Sequence, residues 1–321
     1  MEVEEMSAAK DFLEELELFG KSWNYIYSTK ATLRDFARSC IGENATEFDV
    51  PVDVTEDDIK KWLKDMMDRG LCEKSRVKDV SKLHRFFVFL TESPKYNLKY
   101  NPVSRISKQL PKPSKQTQRP IKSLEEISKM IRSIFHVRDR TIVILLAKTG
   151  IRAGELSALD INDVDFVNRI LRVNKRIGNY FDLTIASGRK NKVESLIPLD
   201  DETLRSLKVY MAIRQSCSTK ALFISDRGNR MFLADIDKIV KNWAIKTGTC
   251  KDSNRTDEKI TPHFFRAWIT YQLQISGCNP IVIDAIRGDK AYNMRIFYAN
   301  QVLPFEEIRR EYERTVPKFG I

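Results

Sequence analysis

Histidine is scarce in this 321-residue chain, with three in all, and the five cysteines (Cys40, Cys72, Cys217, Cys250, Cys278) form no Cys-x-x-Cys pair. A structural zinc site gathers nitrogen and sulfur ligands at short, regular spacings, so this supply argues against one. An odd number of scattered cysteines also argues against a disulfide framework and for reduced, mostly buried thiols in a cytosol. Long apolar runs are missing as well. The longest, Ile142 to Ala147, falls far short of the ~20 residues that span a bilayer. The amino terminus is acidic, which is not the pattern of a signal peptide. Nothing in the chain has the form of a phosphate-binding glycine loop or an acidic metal cluster, so no metal or cofactor is expected. These absences describe a soluble, cytoplasmic protein with no membrane partner.

What is present is positive charge. Lys plus Arg number 55 against 44 Asp plus Glu, a formal charge of +11 and a pI near 9.3. That balance favours a polyanionic partner, nucleic acid ahead of a membrane surface. The charge is uneven. Residues 1–20 hold seven acids and one Lys, whereas residues 105–122 hold six basic residues and no acid. Such asymmetry suits a defined basic surface.

The length suits two domains. Residues 1–107 read as a helical bundle, with helices ending at Gly20, Gly42 and Gly70, a Thr55 cap, and a fourth helix stopping before Pro94. The segment NPVSRISKQLPKPSKQTQRPIK is rich in Pro and basic residues and is expected to be extended, with residues 108–122 as the linker. Its Lys108, Lys112, Lys115, Arg119 and Lys122 are positioned to follow a phosphate backbone, or to be merely solvated. From residue 123 to 321 a second domain alternates helical segments with four short strand-like ones, INDVDFV, RILRVNKR, YFDLTIAS and VESLIPL, before a terminal helix. The whole is mainly α with a small antiparallel β-sheet.

Three residues in the last third have the makings of phosphate chemistry. His263 and Arg266 are three apart and share a helix face, and Tyr298 follows after turns at Gly277 and Arg287-Gly288-Asp289. An Arg holds an anion, a His moves a proton and a Tyr attacks, though an ordinary helical core with polar edges offers the same pieces. Arg152 follows a Gly-containing turn at a helix start, where anions are held, and Glu155 one turn on can orient it; an exposed Arg–Glu pair is the plain alternative. Lys190 lies in the turn of SGRKNKVESLIPL, where an ammonium can reach a leaving group or simply be solvated.

Taken in order, TGIRAGE, the hairpin Lys before IPL, PHFFR, Gly288 and Tyr298 resemble the tyrosine recombinase (integrase) family over residues 121–300. Gly288 and Tyr298 stand 22 and 32 residues after Arg266, spacings similar to Xer-type members. The resemblance implies a two-domain, C-shaped clamp around double-stranded DNA: the helical bundle would bind DNA and the second domain would be catalytic. Arg152 and Arg266 would hold the scissile phosphate and His263 would serve as general base. Lys190 would protonate the leaving 5′-oxygen, and Tyr298 would form a 3′-phosphotyrosyl intermediate. It further implies site-specific recombination without separating a mobile-element integrase from a chromosome-dimer resolvase; the divergent Arg287-Gly288-Asp289 tilts the reading to integration or excision of a mobile element, archaeal or viral. The enzyme would be a homotetramer on DNA, a monomer or weak oligomer when free, and associated with the nucleoid.

The pattern departs from the family at a sixth position. Asp289 stands where His or Trp is usual, and an ionised Asp would repel a phosphate oxygen, so Arg287 or Lys290 is expected to supply that contact, or Asp289 to point away. The residues between Leu171 and Lys190 are also more numerous than in compact relatives, which leaves Lys192 as a rival to Lys190; Tyr292 is the rival to Tyr298. Alternative functions are an Xer-like chromosome-dimer resolvase, a DNA-binding relative that has lost cleavage, and a DNA-relaxing enzyme of topoisomerase IB type.

Overall fold

Small hydroxyl side chains open the first helices of the protein. Ser7 accepts the Lys10 N–H at 3.2 Å and Ser22 the Tyr25 N–H at 3.3 Å, while Thr55 and Asp58 cap reciprocally. The computed structural model describes residues 7–111, 122–173, 194–253, 258–288 and 303–321. Contacts divide it into two compact units, residues 1–116 and 117–321.

The first unit holds α1 (Ala8–Leu18), α2 (Trp23–Ile41), α3 (Glu56–Asp68), α4 (Glu73–Glu92) and α5 (Ser104–Gln109). Its core is aromatic: Phe36 meets Trp62 edge-on at 5.3 Å, and Phe86 meets Phe87 likewise at 5.3 Å. The indole N–H of Trp62, which is fully buried, donates to Asp35 at 2.8 Å. Helix α2 begins at Trp23, where Ser22 caps it.

Helix α5 corrects the expectation of an extended segment after Asn101. Val103 and Ile106 are buried in the bundle core, and Asn101 accepts the Val103 N–H at 2.9 Å. The stretch between Pro102 and Pro111 holds no proline, so a short helix forms once its apolar side chains find the bundle. Lys108 is an exposed residue in the last turn of this helix rather than part of a strap. Lys112, Lys115 and Arg119 lie outside the described residues.

The second unit contains α6 (Leu124–Ser133), α7 (Val137–Thr149), α8 (Ala153–Ala158), β1 (Val164–Asp165), β2 (Ile170–Val173), β3 (Ser195–Pro198), α9 (Asp201–Ile213), α10 (Leu233–Lys246), α11 (Pro262–Ile275), α12 (Pro280–Arg287) and α13 (Phe305–Thr315). Helix α7 is the hub, buried from Thr141 through Thr149 and packed against α9 and α11. A helix apolar on every side needs neighbours on every side. The strands form an antiparallel sheet in the order β1-β2-β3, with Val164 opposite Leu171 and Leu171 opposite Ile197. Of the expected INDVDFV strand only Val164–Asp165 is extended, and Ile161–Asp163 is instead a 3-10 turn, because the Asp163 carboxylate takes the Asp160 N–H at 2.7 Å. The expected YFDLTIAS strand lies outside the described residues.

Among the described residues no helix is long and apolar enough to cross a membrane, and no group of His, Cys, Asp and Glu could hold a metal ion.

Candidate active site

The site begins where α7 ends. Gly150 terminates that helix in the left-handed conformation, φ 61°. A Cβ there would lie 2.7 Å from Cγ2 of Ile269 on α11, so both the turn and the close passage of α11 demand glycine. Two residues on, Arg152 caps α8. The Glu155 carboxylate, 1% exposed, accepts the backbone N–H of Arg152 through Oε2 and its guanidinium through Oε1, each at 2.9 Å. Backbone and side chain of Arg152 are thus fixed by one buried group. Helix α8 is only six residues long, so its dipole adds little and the anion-attracting charge here belongs to Arg152 itself.

Helix α11 brings the second arginine. Thr261 precedes it and Pro262 occupies its first turn, where a missing N–H costs nothing. His263 is exposed and Arg266 is 3% exposed. The buried guanidinium donates through Nη1 to the Gly150 carbonyl at 2.7 Å and through Nη2 to the Arg287 carbonyl at 2.8 Å. The Thr270 hydroxyl donates to the Arg266 carbonyl at 2.7 Å and accepts from Arg287 Nη1 at 3.0 Å. Arg266 is therefore held by the ends of α7 and α12 together.

Arg152, His263 and Arg266 line a single cleft of about 570 Å³, with Glu155, Thr261 and Asp237. Two planar guanidinium groups beside an imidazole suit the oxygens of a phosphate diester and a proton transfer next to it. Arg287 is not part of the cleft lining; it contributes its carbonyl to Arg266. Lys190, Asp289, Lys290 and Tyr298, with the rivals Lys192 and Tyr292, lie outside the described residues. Lys122 is half-buried, donating to Glu126 at 3.0 Å, while its carbonyl accepts the Trp268 indole N–H at 2.8 Å.

Asp237 and Thr261 are cleft residues that the sequence does not announce. Asp237 sits on an ordinary amphipathic helix, and only the packing of α10 beside α8 and α11 makes it part of the site. Thr261 carries a faint signal, as the residue before Pro262-His263 at a helix start.

Comparison with known proteins adds a family. Residues 117–302 match the phage integrase family. The tyrosine recombinase XerC of Chromobacterium violaceum is 24% identical over 320 residues, 97% of this chain and 95% of that protein. Among solved structures, the Tn1549 transposon integrase in complex with a circular intermediate DNA superposes with a TM-score of 0.68 at 20% identity, covering 96% of this chain and 99% of that one. A lambda integrase dimer bound to a core site gives 0.65 at 17% identity, covering 89% and 95%.

Proposed function

The chain belongs to the phage integrase family and is a tyrosine recombinase, an enzyme that breaks and rejoins DNA at specific sites; from that premise we propose how its residues divide the work. Arg152 and Arg266 grip the non-bridging oxygens of the scissile phosphate, where charge grows in the transition state. The Tyr298 oxygen attacks phosphorus and the bond to the 5′-oxygen breaks, leaving a 3′-phosphotyrosyl enzyme and a 5′-hydroxyl. His263 takes the phenolic proton and Lys190 gives one to the leaving oxygen. A phenol of ordinary pKa, about 10, is a poor nucleophile at neutral pH, so the cationic cleft and the adjacent base are needed. The covalent bond conserves the phosphodiester energy, and rejoining is the reverse attack.

The observation that carries this reading is the convergence of Arg152, His263 and Arg266 on one cleft from segments more than a hundred residues apart. The Arg287 guanidinium donates to Thr270, which favours Lys290 over Arg287 for the sixth phosphate contact. The reaction partner is double-stranded DNA in the cytoplasm, with four copies of the chain assembling on two duplexes, as the lambda integrase tetramer bound to a Holliday junction suggests. The biological outcome is integration or excision of a mobile element; the XerC relatives favour a chromosome-dimer resolvase as the second reading.

The test is covalent capture. Incubation with a randomised pool of nicked suicide duplexes should give a denaturation-resistant adduct, and Tyr298→Phe should abolish it while DNA binding persists. An adduct surviving in that variant moves the nucleophile, first to Tyr292. No adduct from the unaltered protein would instead indicate a DNA-binding relative without cleavage. Relaxation of any supercoiled plasmid would favour the topoisomerase-like alternative.

A further inference from the structure

Arg287 stands in the last turn of α12, outside the cleft lining, and its guanidinium donates through Nη1 to the Thr270 hydroxyl at 3.0 Å. A cation in the last turn of a helix ordinarily stands in water and complements the helix dipole. This one is half-buried and turned back on α11. The Thr270 oxygen that receives it is itself fixed, because it donates to the Arg266 carbonyl one turn earlier at 2.7 Å. With that proton committed, a lone pair remains to accept from Arg287.

The main chain of Arg287 reaches the same helix, since its carbonyl accepts Arg266 Nη2 at 2.8 Å. Three hydrogen bonds therefore close a ring: Arg266 side chain to Arg287 main chain, Arg287 side chain to Thr270, and Thr270 back to Arg266. Arg266 and Thr270 lie one turn apart on one face of α11. A single hydrogen bond would hold the end of α12 at a point and let it pivot; two attachments fix its orientation as well. The Arg287 carbonyl is one of the acceptors that a helix end leaves without an intrahelical donor, so its direction is set by what lies around it. Gly288 turns the chain there in the left-handed conformation, φ 57°, and the grip of the side chain on Thr270 supplies the rest.

We propose that Arg287 is a positioning residue for Arg266 and not a phosphate contact: by gripping Thr270 it locks the end of α12, and with it the carbonyl that aims the Arg266 guanidinium. The inference rests on the role given above to Arg266. Losing the grip lets the Arg287 carbonyl swing and weakens one of the bonds that hold the Arg266 guanidinium, so bound DNA is cut more slowly. The salt dependence of DNA affinity does not move, because no phosphate loses a cationic partner.

The test compares the full chain with Arg287→Met, Thr270→Val, the two together, and Thr270→Ser. Three quantities are read: the rate of adduct formation per bound duplex on the randomised nicked pool, the slope of log affinity against log salt, and hydrogen exchange of the Gly288 amide, which donates to the Asp284 carbonyl at 2.9 Å. Arg287→Met and Thr270→Val should each slow the adduct about ten-fold, since a small misplacement of a catalytic group is costly. The double variant should be no slower than the worse single one, because each change breaks the same link. Both single variants should exchange faster at Gly288 with an unchanged salt slope, and Thr270→Ser, which keeps the hydroxyl, should recover most of the rate lost in Thr270→Val. A slope lower by about one unit in Arg287→Met, with Thr270→Val cutting at the parental rate, would make Arg287 a phosphate contact and overturn the proposal. Multiplying losses in the double variant would overturn it too, as would lowered melting temperatures at an unchanged rate. Should Thr270→Val fail to fold, Arg287→Met decides on rate and slope alone. If the unaltered protein gives no adduct, the assigned chemistry fails, but exchange still decides the lock: faster at Gly288 in Arg287→Met supports it, unchanged sinks it.

Discussion

Arg266 and Gly150 are 116 residues apart, yet the Arg266 guanidinium donates to the Gly150 carbonyl at 2.7 Å. The contact joins the start of α11 to the end of α7 and makes the two arginine-bearing segments a single unit. It also explains the glycine twice over. A side chain at 150 would meet Ile269 Cγ2 at 2.7 Å, and φ of 61° strains any L-residue. Gly150→Ala should therefore lower stability by roughly 1–3 kcal/mol and depress cleavage as well, because relief of the clash shifts α11 and Arg266 with it. Thermal melts and adduct assays check this; a wild-type melting temperature in that variant would mean the turn is far more compliant than its geometry indicates.

Arg152 and Arg266 are tethered differently, Arg152 by the Glu155 carboxylate and Arg266 by two backbone carbonyls, so a different change probes each tether. Replacing either by Ala should slow cleavage at least ~100-fold, the scale of losing one oxyanion donor. Glu155→Gln keeps an acceptor for the Arg152 N–H but removes the ion pair, and a loss of about ten-fold with little change in DNA affinity is expected. If Glu155→Gln cut as fast as the parent, the buried carboxylate would have no part in aiming Arg152. Arg266→Lys should be nearly as damaging as Ala, since a single ammonium cannot reach both the Gly150 and Arg287 carbonyls as the guanidinium fork does.

The basic residues Lys112, Lys115 and Arg119 test the proposed DNA binding rather than the chemistry. Neutralising Lys112, Lys115 and Arg119 together should flatten the dependence of log affinity on log salt by up to about three units of slope, one for each phosphate that no longer has a cationic partner. Lys108 belongs to α5 and is exposed, so its neutralisation should add to the effect only if that helix faces DNA. An unchanged slope in the triple variant would show that residues 112–119 do not touch the backbone.

What could be read from the residues alone follows a physical line. The helix start at Thr55 is legible because a cap is a local hydrogen bond between neighbours. Arg152, His263 and Arg266 are legible as a set because their order and spacing resemble a family, and the fold does bring them to one cleft. Helix α5 is not legible, since its stability comes from burying Val103 and Ile106 in a core built by other helices. Nor are the partners of Lys148, which stand 52, 54 and 169 residues away along the chain. A lysine closing an apolar run hints at burial, but nothing local says which carboxylates will meet it.

Those carboxylates make the carboxy-terminal tail sensitive to acid, since Glu202 accepts the backbone N–H groups of Phe319, Gly320 and Ile321. Burial alone would raise the Asp200 and Glu202 carboxyls, but Lys148 beside both, Thr203 at Asp200 and the tail N–H groups at Glu202 outweigh it and hold each below its ordinary value. A depressed folded-state pKa means the unfolded chain binds more protons, so stability rises with pH through the titration. The contribution is fully present above the unfolded values of about 3.9 and 4.3 and fades as pH falls toward the lower folded ones. Glu202→Gln has no such proton to gain. The parent should therefore melt higher than Glu202→Gln by a constant margin from neutrality down to about pH 5, and the margin should shrink progressively below about pH 4. Other carboxylates titrate alike in both proteins and cancel in the difference. A margin that stayed constant into strong acid would mean that Glu202 holds the tail without its charge.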